Sequence, residues 1–577
     1  MHTTKECLLR NHRRSRVTRA RALTALGAAA LCSAYSVGPE SPVEAQPRPF
    51  ELVDATIEDV QAEFKAGRLT SRALVQAYLD RIEAYDKNGP KLNTVITINP
   101  KALDEAAALD AAYKRSGPVG PLHGIPVVLK DQMDVAGIPT TLGSVVLKDN
   151  VPVRDAFVTA KLKNAGAVIL AKVTLGEMGG GDSYGSLYGV SRNPYDPERT
   201  VGGSSGGTGG AVAANFATIG VGQEGFASIR RPSAWNSIVG MRPTPGLVSR
   251  SGVWAGWPSR RGSLGPMTRT VADLARLLDV MVGYDPDDPV TALGVGHIPD
   301  TYTKSLDRNG LKGARIGILR EPMGYTTEPD SADFKVVTGI FDKAVADLTK
   351  AGAVVVDPVV VPRLNELLAR RGAGGGEETG DGAAVYFARN PNSKFKTMAD
   401  VRNSPDYAKV MRRPSSNTRA ESGMSEAAAR DELMITIMKV MADNRLDAIV
   451  HKAVEHTPTL IKDGINPPYV NQKGAPHLNT FLIYSASIVV PAGFTAQGLP
   501  VGITFFGRPY SEPSIIKFAY AYEQATRHRR PPRTTPPLRT TSTAPIQGAH
   551  GAPARSGAGQ GAPASDEPGS GAKPRSN

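Results

Sequence analysis

Residues 200–244 read TVGGSSGGTGGAVAANFATIGVGQEGFASIRRPSAWNSIVGMRPT, two glycine-rich turns bracketing a run of small residues. Glycine admits positive φ and lets backbone come close to a ligand, so such turns expose their side chains and amides. The block therefore reads as a turn around Ser204 and Ser205, a small-residue helix, and a second turn that presents Ser228. It is a site-building segment. Glycine loops serve several chemistries, and the neighbouring residues separate them. No Gly-Lys-Ser/Thr closes the first turn, so it is not expected to cradle phosphate. Residues 202–206 match G-x-S-x-G literally, but so do residues 181–185. A nucleophile elbow needs a buried strand directly ahead of its serine, and the residues before the first turn, NPYDPERT, are polar and turn-like. His451 and His456 have neither HExxH spacing nor an acidic partner pattern, and read as ordinary core or surface histidines. No residue cluster implies a metal or an organic cofactor.

Around this block, short apolar runs rich in β-branched residues recur at 125–129, 167–171, 315–319, 353–356, 447–450, 487–490 and 501–506. Helical stretches at 271–282 and 427–442 lie between them. From 54 to about 85 the pattern is helical, with Leu74, Ala77, Tyr78, Ile82 and Tyr85 on one face and Thr56 and Asp59 as a capping pair. Interleaved buried strands and helices predict an α/β protein, a large mixed sheet covered on both faces. With 41% hydrophobic and 21% charged residues, the chain has the means to build such a core. The glycine-rich run at 370–384 predicts a long loop, functional or disordered. From Arg527 to the end, Pro, Gly, Ala, Ser, Thr and Arg dominate; residues 527–577 read as a disordered tail that lacks the apolar surface to fold.

A net charge of +13 invites a nucleic-acid or membrane-surface reading, yet residues 1–45 carry +4 and residues 527–577 carry +6, which leaves +3 for residues 46–526. The body is not expected to bind nucleic acid. Residues 1–45 have the form of a secretory signal: a basic stretch through Arg10, Arg13, Arg14, Arg16, Arg19 and Arg21, an apolar run at 22–37 too short for a stable membrane span, and Val43 and Ala45 at the −3 and −1 sites. Cleavage after Ala45 and an exported, periplasmic or secreted protein are the expectation, with Arg13-Arg14 admitting a twin-arginine route. Cys7 and Cys32, the only cysteines, fall inside that leader. The mature chain then holds no disulfide, no thiolate metal site and no cysteine nucleophile.

At nearly every position the glycine-serine block resembles the signature of the amidase signature family, GGSSGGS, a helix, a G-S-I-R turn and a V-G-x-K-P-T-like segment. The run GPLHGIPVVLKD, ending at Lys130-Asp131, is similar to the family's lysine-bearing strand. GPMTRTVAD at 265–273, PAG at 491–493, GLPVG at 498–502 and GRP at 507–509 are similar to its later landmarks. The resemblance covers roughly residues 50–526, within a catalytic domain placed at 46–526. It implies one α/β/α domain on a twisted mixed sheet, a Ser-Ser-Lys triad in place of Ser-His-Asp, and hydrolysis of the C–N bond of a small-molecule amide. Carried over by position, Ser228 is the acyl-forming nucleophile, Ser204 the bridging serine after a cis peptide, and Lys130 the base.

Those residue types suit the chemistry. A serine hydroxyl attacks a carbonyl only if a base takes its proton. Free lysine, with a pKa of about 10.4, is protonated and useless for this, but burial at the end of Val127-Val128-Leu129 depresses it. A hydroxyl both donates and accepts, so Ser204 is suited to pass the proton. One departure from the family stands ahead of Ser228. Where a small glycine turn usually forms the oxyanion hole, this chain has Gln223-Glu224-Gly225-Phe226-Ala227. The backbone donors of Gly225, Phe226 and Ala227 survive, while Ala227 restricts φ and Phe226 adds bulk near the acyl pocket. Glu224 and Arg230 are expected to pair and brace the turn. Pocket walls are expected from residues 177–185, Trp235 and residues 370–430. Two other readings remain at this point: an exported amide-binding protein on the same scaffold, and an amidotransferase A-type subunit that supplies ammonia to a charged transfer RNA.

Overall fold

Eleven strands form one mixed sheet in the computed structural model, which describes residues 50–254, 256–259, 262–370, 382–411, 426–467, 469–478 and 485–538. In chain order they are β1 (Val95–Ile98), β2 (Pro126–Lys130), β3 (Val168–Val173), β4 (Ile219–Glu224), β5 (Val239–Arg242), β6 (Ser263–Thr268), β7 (Arg315–Ile318), β8 (Val354–Val356), β9 (Ala448–Lys452), β10 (Ser487–Phe494) and β11 (Pro500–Phe506). Across the sheet they run β1-β3-β2-β4-β6-β5-β10-β11-β9-β7-β8. The pairs β3/β2, β2/β4, β9/β7 and β7/β8 are parallel and the others antiparallel. Every residue of β2, β3, β4, β5, β6, β9 and β11 is buried, which requires cover on both faces of the sheet centre. The expected mixed α/β architecture is the one observed.

All seven apolar runs read from the sequence are strands, and both inter-strand helical stretches are helices, Val271–Met281 and Glu426–Asp443. Four strands escaped that reading. Two of them, IGVGQE and SLGPMT, are rich in glycine and proline and lack a β-branched run. Packing explains the glycines: a Cβ on Gly220 would sit 2.7 Å from Thr208 Cγ2, and one on Gly207 only 2.3 Å from the Thr174 carbonyl. The small-residue helix Gly206–Ala213 thus lies directly on β4 and beside β3, closer than ordinary side chains allow. The NPYDPERT segment is part of a two-stranded ribbon outside the main sheet, Arg192–Asn193 with Asp196–Thr200.

Two boundaries need correction. The helical pattern over 54–85 is two helices, Ile57–Lys65 and Ser71–Arg81, followed by a π-helical turn at Ile82–Lys87. The break falls at Gly67, with φ +69°, and Thr70 caps the second helix. Thr56 and Asp59 do form the expected capping box. The tail begins later than Arg527. Residues 527–538 are folded onto the body, because Arg81 donates to the carbonyls of Thr535 and Pro536 at 2.8 and 2.9 Å and Arg529 pairs with Asp54 at 2.6 Å. Residues 1–49, the run at 371–381 and residues 539–577 lie outside the described residues, and with them the leader and most of the tail. Among the described residues no helix is long and apolar enough to cross a membrane.

Candidate active site

Strands β2 and β4 are parallel neighbours, so their carboxyl ends open on the same edge of the sheet. Lys130 is the last residue of β2, and the turn at 225–229 follows β4. The glycine turn that begins the Gly206–Ala213 helix comes to the same edge. This arrangement brings together three side chains far apart in sequence. Lys130 Nζ is 2.7 Å from Ser204 Oγ, and Ser204 Oγ is 2.9 Å from Ser228 Oγ. Lys130 and Ser204 are buried, whereas Ser228 is half-buried at the open end of the chain of contacts.

Burial holds the Lys130 ammonium well below the usual lysine pKa, opposed only in part by the charge of Glu224. Its other contact is the Gln223 carbonyl at 3.1 Å, and among the described residues no carboxylate forms an ion pair with it. The adjacent carboxylate is engaged elsewhere. Asp131 pairs with Lys172 at 2.8 Å, both fully buried, and accepts from the Thr141 hydroxyl and amide. Burial favours the neutral form of this amine, a proton acceptor, and the two hydroxyls continue the chain of contacts from it.

The loop carrying Ser204 is tied down on both sides. The Gly203–Ser204 peptide is cis, as the resemblance implied. Arg231 donates to the Gly203 carbonyl through Nη2 at 2.6 Å and Nε at 3.2 Å. It pairs with buried Asp182 at 2.8 Å and lies 5.4 Å from the Trp235 ring centre. Beyond Ser204, its carbonyl accepts from Gly176, and Ser205 N donates to the Ser228 carbonyl at 3.0 Å. The two serine turns are thereby stitched to each other.

Glu224 and Arg230 pair as expected, Oε1 to Nε at 2.7 Å, both fully buried. Glu224 Oε2 also accepts from the amides of Ile229 and Arg230 at 2.8 and 2.9 Å. The amides after Ser228 are therefore occupied. Those of Gly225, Ala227 and Ser228 donate to no acceptor among the described residues, and a Cβ on Gly225 would meet nothing within 4 Å. The turn keeps its open donors although Ala227 replaces a glycine. Phe226 contributes a half-buried ring, 5.0 Å from the ring of His477, which is 5.6 Å from that of Tyr325.

The expected pocket walls divide. In the 177–185 stretch, Gly181 accepts from Arg231 and Ser183 N donates to Gly202, so this stretch does lie against the Ser204 loop. Trp235 does not line a pocket. It is fully buried, packed with Ala453, Val454 and Val489, and its Nε1 donates to the His456 carbonyl at 3.0 Å. Of residues 370–430, those at 371–381 and 412–425 lie outside the described residues. His451 and His456 are structural. Burial lowers His451 to about 3, so it is neutral, and its Nδ1 is 2.7 Å from the Lys452 carbonyl. His456 accepts from Glu328 N at Nε2, so its Nδ1 carries the proton shared with Asp333. No group of three or more His, Cys, Asp or Glu side chains suited to a metal occurs among the described residues. Sequence reasoning missed Arg231, Asp182, His477 and Tyr325. For Arg231 a signal was present: a second arginine directly after Arg230, in a segment otherwise made to be buried.

The family model described as Amidase matches residues 73–516. A probable amidase of Arabidopsis thaliana is 33% identical over 517 residues, covering 84% of this chain and 92% of that protein. The A-type subunit of the glutamyl-tRNA(Gln) amidotransferase of Moorella thermoacetica is 34% identical over 509 residues, covering 84% and 99%. Among solved structures, the native peptide amidase of Stenotrophomonas maltophilia superposes with a TM-score of 0.72 at 35% identity, covering 84% of this chain and all of that one. Its sheet, its glycine-serine block and these relatives agree that the chain belongs to the amidase family, enzymes that hydrolyse carboxylic amides.

Proposed function

We propose that this amidase cleaves a small-molecule carboxylic amide through an acyl-enzyme on Ser228. As Ser228 Oγ bonds to the amide carbon, its proton passes to Ser204 Oγ, and the Ser204 proton passes to Lys130 Nζ. The amides of the 225–228 turn face the developing oxyanion. Collapse of the tetrahedral intermediate breaks the C–N bond, and the leaving nitrogen takes the proton back along the same path. Water, deprotonated by the same relay, then attacks the ester carbon and releases the carboxylic acid and free Ser228. Lys130, Ser204 and Ser228 are the catalytic residues in this reading, Gly225, Phe226 and Ala227 supply the oxyanion hole with Ser228, and Glu224 and Arg230 position the turn.

The observation that carries this reading is the unbroken contact chain Lys130 Nζ–Ser204 Oγ–Ser228 Oγ, 2.7 and 2.9 Å, ending on a lysine whose pKa burial lowers well below its usual value. The test is hydrolysis of a panel of simple aryl, aliphatic and peptide amides by wild type, Ser228→Ala and Lys130→Ala. Loss of turnover in both variants, by roughly 10²–10⁴ for the base, supports it. Wild-type turnover in either variant overturns the assignment.

A second reading has one observation in its favour, the 34% identity to an amidotransferase subunit of the A type over 99% of that protein's length. There the ammonia released as the acyl-enzyme forms would pass to another protein of the complex. The charge of +3 on residues 46–526 and the signal-like leader favour the free hydrolase. Export completes the proposal, and cell fractionation tests it: mature protein outside the cytoplasm supports export, and full-length protein retained inside overturns it.

A further inference from the structure

A short ribbon crosses from one serine turn to the other. It is made of residues 323–325 and 471–477. Tyr325 N donates to the Ala475 carbonyl at 2.9 Å, Gly474 N to the Tyr325 carbonyl at 2.8 Å and His477 N to the Met323 carbonyl at 3.1 Å. Glu455, just past β9 and 2% exposed, pins the ribbon. Its carboxylate oxygens accept from the amides of Met323 and Gly324 at 2.8 and 3.1 Å, and its own amide donates to the Gly474 carbonyl at 2.8 Å. One end meets the Ser204 turn. Asn471 Oδ1 accepts from Asp182 N at 2.9 Å, and Asp182 is the partner of Arg231, which holds the Gly203 carbonyl. The other end meets the Ser228 turn, where the His477 ring lies 5.0 Å from that of Phe226. The ribbon thus spans the two turns whose hydroxyls touch each other.

Its ends differ in chemistry. At the Ser228 end stand three rings in a row, Phe226, His477 and Tyr325, with successive centroids 5.0 and 5.6 Å apart in tilted and edge-on contact. All three residues are half-buried, so the row is packed together and still partly open. The backbone under Phe226 is fixed, because its carbonyl accepts from Arg230 Nη2 at 2.6 Å. Neither the carboxylate nor the ammonium of this region is spare: Glu455 is spent on the two amides, and Lys473 pairs with Glu328 at 2.8 Å. At the Ser204 end the ribbon offers the polar side chain of Asn471 instead of a ring.

This polarity orients an amide. The leaving nitrogen must come within reach of Ser204 Oγ to recover its proton, so it belongs toward the Asn471 end. The substituent on the carbon that bonds to Ser228 Oγ then lies along the rings. We propose, on the basis of the Ser228 acyl-enzyme, that Phe226, His477 and Tyr325 are specificity-determining residues that take an uncharged aromatic ring on the acyl side of the amide.

The test compares kcat/KM for phenylacetamide, acetamide, cyclohexylacetamide and N-benzylacetamide. Phenylacetamide is expected to exceed acetamide by about tenfold or more, the worth of burying one ring. Phe226→Leu and Tyr325→Leu keep apolar bulk but remove a ring, and each is expected to lower that ratio by about three- to tenfold, with circular dichroism confirming the fold. Calorimetry of phenylacetamide on Ser228→Ala reads the wall without turnover, and either leucine change made in that background is expected to weaken the binding. Binding of this kind beside a wild type that hydrolyses none of the four amides would sink the acyl-enzyme and keep the aromatic wall. Four results overturn the wall itself. Phenylacetamide and acetamide are cleaved alike by wild type, or phenylacetamide fails to bind Ser228→Ala. N-benzylacetamide is cleaved faster than phenylacetamide, which puts the ring on the leaving side. Cyclohexylacetamide matches phenylacetamide, which leaves an apolar wall with no preference for a ring. Both leucine variants retain the wild-type ratio.

Discussion

What makes Lys130 useful is the company it lacks. It ends a fully buried strand, its neighbour Asp131 is turned to Lys172, and it meets only a hydroxyl and a carbonyl. Desolvation then has no full counterweight, and the amine is neutral at a pH where a free lysine is charged. The sign follows for activity. Below the lowered pKa, Lys130 is protonated and cannot accept from Ser204, so kcat/KM rises with pH through that value and levels above it. Stability moves the same way. Between the lowered pKa and about 10.4 the unfolded chain binds the proton that the native state refuses, so the folded state gains as pH rises across that window. Lys130→Arg, charged at every accessible pH, is expected to remove the rising limb and cut kcat by about 10³ or more within the range typical of base loss. A pH profile of kcat/KM on a neutral amide, with circular dichroism to confirm folding, checks it; a rising limb that persists in the arginine variant would falsify the role. That Lys130, Ser204 and Ser228 meet was legible in the sequence, because ordered motifs along the chain carry the resemblance that singles them out. Arg231 could be noticed only as a second arginine beside Arg230; what it grips, the carbonyl of Gly203, was not legible, since backbone acceptors leave no mark in composition.

At the scale of elements, the turn between β4 and the helix Arg230–Trp235 decides how Ser228 is presented. Its departure from the family's glycine turn keeps open donors, because Glu224 collects the Ile229 and Arg230 amides and those of Gly225, Ala227 and Ser228 meet no acceptor among the described residues. That brace is legible in the sequence as a pair but not as a three-way acceptor. The strand under it went unread for a physical reason: β4 is built of glycines so that Gly206–Ala213 can lie against it, and close packing removes the β-branched pattern by which strands are recognised. Glu224→Gln keeps an acceptor for one amide and leaves Arg230 a buried charge without its partner. The expected loss is about 2–4 kcal/mol of stability, somewhat below that for deleting a buried partner outright. If the turn forms the oxyanion hole, kcat should fall while KM changes little, since a misaligned donor matters most in the transition state. Chemical denaturation and steady-state kinetics on the same variant check both, and a KM effect alone would count against the turn's role.

Across the whole molecule, the fold class was readable because seven of eleven strands are continuous apolar runs, while the limits of the domain were not. Residues 527–538 have the composition of a tail yet behave as a strap. Few of their side chains carry it; their carbonyls do, through Arg81 to Thr535 and Pro536, Tyr85 to Pro536 and Tyr195 to Arg530, together with the Arg529–Asp54 pair. Arg81 is 1% exposed and spends its remaining donors on the carbonyls of Ala214 and Asn215, at the end of the Gly206–Ala213 helix. The strap therefore ties the first helices of the domain to the element that carries Ser204. A chain ending at Thr526 leaves two donors of a buried guanidinium without acceptors and frees Asp54 from Arg529, at a cost of about 3–6 kcal/mol for charge-assisted bonds. A chain ending at Leu538 keeps all of these contacts. Thermal melts of the two truncations beside the full chain should show the longer one matching the parent and the shorter one melting several degrees lower. Equal midpoints for the two truncations would mean that residues 527–538 contribute nothing to holding the domain closed.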